Sequence, residues 1–276
     1  MEILEISKGS HSYQVYTGNN RDFWQRVANG TWEQRTFEVF DRFIDRQQAY
    51  IDIGSWIGPT VLFGCQLAKV SYAIEPDPIA YAELAANVSI NSAVTGKLTL
   101  FNGCISNRTG NVRMGNCGQG GDSTTSVLFK EHETNWVVPG LSFEDFIKKY
   151  EITECAFIKL DIEGGEYAVL PSMARYLAKH RPTLLLSLHP FFLGDLNDIG
   201  FFGKVKRNLL RLAKTFGVLR SLQGYQHFFD PSGRRIGSLH LLWMGMRGIG
   251  CEVVVTDREW DTTKRASVDA GVTAIK

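Results

Sequence analysis

The sequence predicts an α/β fold in which helices cover both faces of a mostly parallel β-sheet. From residue 48 onward, short apolar runs alternate with amphipathic stretches, which is the order expected of successive βα units. The apolar runs are nearly continuous, as in strands that are buried on both faces. A glycine-containing turn joins the first such strand to the first helix, which is typical of a Rossmann-like fold.

The alternation gives the approximate bounds of each element. Strands are predicted at 49–54, 71–75, 97–102, 155–161 and 183–188. Helices are predicted at 59–69, 78–91, 142–150, 166–180 and 201–216. Three more strands are predicted at 218–223, 239–245 and 251–255, with an Asp-Pro-Ser-Gly turn at 230–233.

The chain of 276 residues, 44% of them hydrophobic, is expected to form one extended domain over 48–257. Residues 1–47 are expected to be a helical extension, because a helix over 32–46 would place one set of apolar side chains at helical spacing: Trp32, Phe37, Phe40, Phe43 and Ile44. The polar segment 107–140 is too long for an ordinary connection and predicts an insertion or lid. Residues 258–276 are expected to be a C-terminal tail.

The formal net charge of +1 predicts no general attraction to nucleic acid or to an anionic membrane. A small, neutral or modestly charged substrate fits this balance better. The one local basic excess lies beside apolar positions at helical spacing and is interpreted as a solvated helix face. It comprises Lys204, Lys206, Arg207, Arg211 and Lys214, next to Leu209, Leu210, Leu212 and Phe216.

The cysteines predict neither a disulfide framework nor a zinc site, since they are five in number and none form a C-x-x-C pair. The first residues, Met-Glu-Ile-Leu-Glu-Ile, have neither the basic start nor the apolar run of a signal peptide. The apolar stretch 184–193 is too short to span a bilayer. A cytoplasmic location is therefore expected.

The turn Asp52-Ile-Gly54-Ser-Trp-Ile-Gly58-Pro59 indicates which cofactor the protein binds. In a dinucleotide pattern beginning at Gly54, Trp56 would replace the second glycine and Pro59 the third. A bulky side chain and a missing N–H both oppose a pyrophosphate. S-adenosylmethionine has no phosphate, and its ammonium and carboxylate groups need an acidic side chain and free N–H groups. Asp52 and the turn, including Ser55, are the candidates.

The next strand ends at Glu75-Pro76, where an acidic group can accept hydrogen bonds from both ribose hydroxyls. This spacing alone does not separate the two cofactors. The alternative is that Glu75 only ends a strand while Asp77 caps the following helix. For the adenine ring, the candidates are Asn102 and Cys104 after the third strand, although Cys104 is equally explained as a buried residue.

A later motif makes the resemblance specific. Ile158-Lys159-Leu-Asp161-Ile-Glu163-Gly-Gly-Glu166, together with the turn at 52–58 and Glu75-Pro76, resembles the FkbM family of S-adenosylmethionine-dependent O-methyltransferases over roughly 48–190. The resemblance implies a seven-stranded sheet with one antiparallel strand near its edge. It also implies methylation of a hydroxyl on a sugar, polyketide or related metabolite. Ser-Phe-Glu-Asp-Phe at 142–146 departs from the family's Leu-Asp-Asp pattern, but Ser142 and Asp145 still fit a helix cap.

The catalytic candidates lie where the parallel strands end, because ligands bind beyond the carboxyl ends of such strands. His189 follows an apolar strand and titrates closest to neutrality, so it is the predicted base, with Asp161 orienting the acceptor or the base. Period-two alternation places Lys159, Asp161 and Glu163 on one face. The structural alternatives are a helix-capping or otherwise structural role for His189, and an Asp161 carboxylate that is held by Lys159 or by N–H groups of the turn.

No metal is predicted, because the acids at 161, 163 and 166 do not by themselves make a coordination sphere, and Gly164-Gly165 is explained by a sharp turn. Glu166 is interpreted as a first-turn helix residue. Two other functions stay open: a catalytically silent protein that binds S-adenosylmethionine or a partner, and, less favoured, a nicotinamide-dependent oxidoreductase. The acceptor and the oligomeric state are not predicted.

Overall fold

Strands and helices alternate along the chain in the computed structural model, which describes residues 2–116, 121, 123, 125–129, 134–194 and 200–261. The strands are β1 (Ile3–Lys8), β2 (His11–Tyr16), β3 (Ala49–Ile53), β4 (Val70–Glu75), β5 (Leu98–Asn102), β6 (Cys104–Ser106), β7 (Gly110–Asn116), β8 (Thr125–Ser126), β9 (Asn135–Ser142), β10 (Cys155–Leu160), β11 (Thr183–Leu188), β12 (His227–Phe229) and β13 (Cys251–Thr256). The helices are α1 (Arg21–Ala28), α2 (Gln34–Phe43), α3 (Val61–Leu67), α4 (Pro78–Ser89), α5 (Ser92–Thr95), α6 (Phe143–Lys149), α7 (Glu166–His180), α8 (Phe201–Ser221) and α9 (Ser238–Arg247).

A seven-stranded sheet in the order β12-β13-β11-β10-β3-β4-β5 forms the centre of the fold. β3, β4, β5, β10 and β11 pair in parallel. β13 is antiparallel to both of its neighbours, β11 and β12. The predicted fold class, a mostly parallel sheet with one antiparallel strand near its edge, is confirmed.

Side-chain alternation divides the core into two layers, one on each face of the sheet. Tyr50 and Phe157 face the layer that contains α1 to α3, whereas Ile51 and Ile158 face the layer that contains α6 and α7. β10 pairs with β3 so that Lys159 lies opposite Asp52. The register therefore brings two ionisable side chains together on one face, near the carboxyl ends of both strands.

Two of the predicted strands are wrong. Residues 218–221 continue α8, and 239–245 lie within α9. The side chains of Thr215, Val218 and Leu222 are buried at the three- and four-residue spacing of a helix, so this segment packs as the last turns of α8. α9 ends where Gly248 adopts a φ of 72°, a left-handed conformation that suits a glycine after a helix.

Two helix starts also differ from prediction. α3 begins at Val61, and Pro59 lies in the preceding turn, where its carbonyl accepts a hydrogen bond from the Tyr13 hydroxyl at 3.1 Å. α2 covers only Gln34–Phe43, although the apolar side chains predicted to face the core do so. Terminal turns are the least regular part of a helix, and hydrogen bonds to side chains shift their bounds by one or two residues.

The N-terminal segment contains a β-hairpin, β1 with β2, which the sequence interpretation did not include. Its second strand is fixed to the sheet domain by side-chain amides: the backbone N–H groups of Gln14 and Tyr16 donate to Asn91 and Asn87, each at 2.8 Å. Residues of the hairpin, α1 and α2 share one core with the central sheet. The domain boundaries stay a prediction.

The described part of the predicted insertion forms most of a second sheet, in the order β6-β9-β7-β8. In the predicted tail, the Trp260 ring packs on Phe43, with ring centroids 5.5 Å apart, and on Phe229, with ring centroids 5.4 Å apart. Residues 262–276 of that tail lie outside the described residues. The four cysteines in the described ranges are free, and Cys117 lies outside them. No helix within those ranges combines the length and apolar composition needed to cross a bilayer.

Candidate active site

A cavity of about 1060 Å³ opens at the carboxyl ends of β3, β4, β10 and β11. Small-molecule sites span about 300–1,000 Å³, so this volume has room for a cofactor and an acceptor together. Part of the second sheet, including Val112 and Met114 of β7, lines the same cavity. The position is the one predicted for a ligand at the carboxyl edge of a parallel sheet.

Gly54 allows the turn after β3 to lie against the end of β10. Its φ is 90°, and a Cβ at this position would lie 1.8 Å from the carbonyl oxygen of Asp161. Gly58 has a φ of 99° and faces the Leu84 side chain, which a Cβ would approach to 2.8 Å. The close approaches at both glycines are therefore made by protein atoms.

Glu75 holds the turn and the start of α4 from the end of β4. Its Oε2 accepts the N–H of Trp56 and its Oε1 accepts the N–H of Asp77, both at 2.7 Å. The side chain is 4% exposed and lines the cavity. Burial raises its pKa to about 8, against the lowering effect of the two N–H groups. Asp77 caps α4 by accepting from Ile79 and Ala80.

Asp52 is fully buried behind the cavity wall. Its Oδ2 accepts hydrogen bonds from the hydroxyls of Tyr50 at 2.6 Å and Thr60 at 3.1 Å. Burial raises its pKa, and the nearby Lys159 opposes that shift. The Asp52 carboxylate thus bonds to protein groups and does not line the cavity.

Lys159 lies between the buried Asp52 carboxylate and the cavity. Its Nζ lies 3.7 Å from Asp52 Oδ1 and 3.3 Å from Asp161 Oδ2, and it donates to the Gly54 carbonyl at 3.4 Å. Burial lowers its pKa, but the two carboxylates outweigh burial and raise the pKa above its usual value. The ammonium is therefore charged and positions Asp161 and the turn.

His189 is held by Glu166, the first residue of α7. Its Nδ1 lies 3.0 Å from Glu166 Oε1, which also accepts the N–H of Ile162 at 3.0 Å. Because a carboxylate only accepts, Nδ1 carries the proton. Nε2 lies 3.8 Å from the carboxylates of both Asp161 and Glu163.

The surrounding carboxylates favour the protonated form of this histidine. Burial lowers its pKa, but Glu166, Asp161 and Glu163 together raise the pKa to about 9. Burial raises the pKa of Glu163 to about 7, and His189 opposes that shift. His189 and Glu163 can therefore both gain or lose a proton at pH values not far from neutral.

One atom from each of Asp161, Glu163 and His189 lies within 4.8 Å of the others, a spacing at which they could hold a metal ion. Two carboxylates and an imidazole are the ligand types of a transition metal, whereas Mg²⁺ prefers oxygen alone. The expectation that no metal binds stays a prediction.

Most of the predicted site residues line one cavity: Gly54, Ser55, Glu75, Pro76, Cys104, Lys159, Asp161 and His189. Three do not: Asp52, Gly58 and Asn102. The Asn102 amide instead donates to the carbonyl of Glu75 at 2.9 Å. Cys104 is 5% exposed, and burial raises the pKa of its thiol to about 12.

Sequence reasoning missed three acidic residues of the site. Glu33, just before α2, and Glu252, in β13, both line the cavity. An acidic residue in the apolar run of β13 was the available signal for Glu252. No pattern identified Glu33, since only the fold brings that segment to the cavity. The sequence indicates only a helix-start role for Glu166. Its contact with His189 depends on where β11 ends and where α7 begins.

Comparisons with known proteins find a family model that matches this chain. The family model described as Methyltransferase FkbM domain matches residues 52–216, more than half of the chain. No curated protein matches the sequence. Methyltransferase FkbM from Methylobacillus flagellatus KT is 22% identical with a TM-score of 0.37; the match covers 53% of this chain and 34% of that one. This chain thus matches only about a third of that protein.

Two other solved structures are similar over more of the chain. An rRNA methylase from Streptococcus thermophilus is 11% identical with a TM-score of 0.40, and the match covers 81% of this chain and 93% of that one. TrmK from M. capricolum, in complex with S-adenosyl-homocysteine, is 12% identical with a TM-score of 0.36, covering 81% and 68%.

Proposed function

The chain belongs to the FkbM methyltransferase family, and from that premise we propose that it is an S-adenosylmethionine-dependent O-methyltransferase. The acceptor is a hydroxyl group on a small molecule such as a sugar, a polyketide or a related metabolite. The observation that carries the proposal is the His189–Glu166 pair at the edge of the cavity, because an alcohol must lose a proton during methyl transfer.

The chemistry of the cavity fits the cofactor. When bound, S-adenosylmethionine supplies an activated methyl group on a sulfonium. Glu75, whose side chain is fixed by the N–H groups of Trp56 and Asp77, would accept hydrogen bonds from the ribose hydroxyls. The carbonyl of Gly54 and the carboxylate of Asp161 would accept hydrogen bonds from the ammonium group of the cofactor.

Asp52 acts on the cofactor through another residue. Its carboxylate holds Lys159, and Lys159 holds both the Gly54 carbonyl and Asp161. Cys104 and Pro76 line the cavity and are proposed to contact the adenine ring. Asn102 supports that edge by donating to the backbone of Glu75.

His189 removes the acceptor's proton through Nε2. Glu166 fixes the ring and keeps the proton on Nδ1, so the other nitrogen is the one available to the substrate. A pKa of about 9 leaves only a small neutral fraction at neutral pH, and a bound cation lowers it by repelling the imidazolium. Asp161 orients the acceptor hydroxyl between the base and the methyl group.

A direct assay tests this function. The enzyme is mixed with S-adenosylmethionine carrying a deuterated methyl group and a panel of hydroxylated sugars and polyketides, and products are analysed by mass spectrometry. We expect a labelled methyl group on oxygen in at least one acceptor class. A label on carbon or nitrogen would contradict O-methylation. S-adenosylmethionine binding without any transfer would support the catalytically silent alternative.

A further inference from the structure

α8 presents a stripe of apolar side chains to solvent, although Val218 on its other side is buried in the core. Phe202, Val205, Leu209 and Phe216 recur at three- and four-residue spacing and are 85%, 40%, 59% and 58% exposed. The opposite face is buried and includes Gly203, Arg211 and Thr215. A surface helix of a globular protein normally has the reverse arrangement.

Specific contacts fix this orientation of α8. The Arg211 guanidinium donates to the carbonyls of Leu193 at 3.2 Å and Phe191 at 3.0 Å. Thr215 packs against Gly245 of α9. The contact is so close that a Cβ at position 245 would lie 2.1 Å from the threonine hydroxyl oxygen. Rotating the helix to bury its leucines would break both contacts, so the outward apolar stripe is built into the packing.

α9, which packs against α8, also exposes apolar side chains. Leu239 is 80% exposed and Trp243 is 49% exposed, one helical turn apart. We call this surface the α8–α9 surface and define it by Phe202, Val205, Leu209, Phe216, Leu239 and Trp243. Several large apolar side chains exposed on two neighbouring helices are typical of an interaction site.

The charges of the two helices have one sign. α8 contains Lys204, Lys206, Arg207, Arg211, Lys214 and Arg220 and no acidic residue. α9 contains Arg247 and no acidic residue. Lys206 and Lys214 are exposed. The near-neutral charge of the whole chain therefore conceals a strongly basic local surface.

We propose that the α8–α9 surface binds the face of an anionic phospholipid bilayer. Helices that lie in a membrane interface combine Phe, Trp and Leu on one face with Lys and Arg beside them, and this is the composition here. Anionic headgroups complement the basic residues. A second copy docking symmetrically would bring like charges together, and nucleic acid gains nothing from exposed Val205, Leu209 and Leu239.

The buried face of α8 contacts the active-site loop. Arg211 joins α8 to the carbonyl of Phe191, which lines the cavity two residues after His189. Because Arg211 belongs to the buried face of α8, the apolar stripe lies on the side of the helix that points away from this loop. The proposal does not depend on the proposed O-methylation, because membrane binding is measured without turnover.

Vesicle co-sedimentation of the full chain tests the proposal, with phosphatidylcholine vesicles compared with mixed phosphatidylcholine and phosphatidylglycerol vesicles. We expect partition onto the anionic vesicles to be at least about tenfold stronger. The variant Phe202→Ser/Leu209→Ser/Phe216→Ser and the variant Lys206→Glu/Lys214→Glu should each lose at least about tenfold of that partition. Ile3→Ser/Val137→Ser, which alters two exposed apolar residues elsewhere, should bind like the wild type.

Three results would overturn the proposal. One is equal partition of the wild type onto both kinds of vesicle. Another is a dimer in analytical ultracentrifugation that the serine variant dissociates, without vesicle binding. The third is tight binding of an RNA oligonucleotide that the charge variant abolishes, again without vesicle binding. Circular dichroism checks folding, and if the serine variant unfolds, the charge variant decides the outcome alone.

Discussion

Nδ1 of His189 lies 3.0 Å from Oε1 of Glu166, a side chain that is completely buried at the first residue of α7. Two segments far apart in sequence, the end of β11 and the turn after β10, meet at this hydrogen bond. The buried carboxylate fixes the ring, its tautomer and its affinity for a proton. Three of the following predictions concern the acid-base chemistry around this pair.

Replacing the base should slow chemistry and spare cofactor binding. We expect His189→Ala to lower kcat by about 100- to 10,000-fold, the range attributed to general base catalysis. The affinity for S-adenosylmethionine, measured by calorimetry, should change little. His180→Ala, on the exposed end of α7, is the matched control. Unchanged turnover of His189→Ala at saturating acceptor would remove His189 from the mechanism.

Replacing Glu166 should move the pH dependence of turnover. His189 accepts a proton only when neutral, so kcat should rise as the pH increases through the histidine pKa of the enzyme–substrate complex, which the bound cation lowers from about 9 in the free enzyme. Glu166→Gln removes the negative charge that stabilises the imidazolium, so the rise should shift toward pH 6.5, the ordinary value. A purely structural role for Glu166 would lower kcat at every pH without shifting the profile.

Removing divalent metal should not affect turnover. The base mechanism needs Nε2 of His189 free, although Asp161, Glu163 and His189 lie close enough together to hold an ion. Activity after dialysis against a chelator should therefore match that of the untreated enzyme, and added Zn²⁺ should inhibit by occupying Nε2. Loss of activity with the chelator, restored by Mn²⁺ or Mg²⁺, would show that the cluster binds a required metal.

Adding one methyl group at Gly54 should destabilise the fold. A Cβ would lie 1.8 Å from the Asp161 carbonyl oxygen, and the φ of 90° disfavours any L-residue. We expect Gly54→Ala to lower the free energy of unfolding by about 3 kcal/mol, measured by urea denaturation. Gly96→Ala, with nothing within 4 Å of the new Cβ, should change it little. Equal effects of the two variants would contradict the close approach.

The sequence predicted the central sheet well because its strands are buried on both faces, and continuous apolar runs mark them without regard to distant contacts. α9 has a similar run, Leu-His-Leu-Leu-Trp-Met, and was wrongly predicted as a strand. Leu239 and Trp243 are apolar although they face solvent. They therefore hide the three- and four-residue spacing that apolar residues show when only the buried face of a helix carries them. The period of a pattern predicts structure only where the apolar side chains face the core.

The sequence predicted the site residues at strand ends but not those that loops and helix ends bring to the site. Glu75, Asp161 and His189 each follow a strand, so the rule for parallel sheets placed them at one edge. Glu33 and the Glu166 contact depend on where loops and helix ends pack, which local sequence does not encode. Asp52 sits beside the site and contacts Lys159, because strand alternation turns its side chain into the core layer.

The central claim is that this cavity binds S-adenosylmethionine through Glu75, and isothermal titration calorimetry measures it most directly. The wild type should bind one molecule per chain. Glu75→Ala, with its folding checked by thermal unfolding, should bind at least about tenfold more weakly, a loss of about 1.4 kcal/mol, while Glu144→Ala on the exposed face of α6 binds normally. Equal affinity of the folded Glu75→Ala variant and the wild type, or no binding to either, would contradict the account.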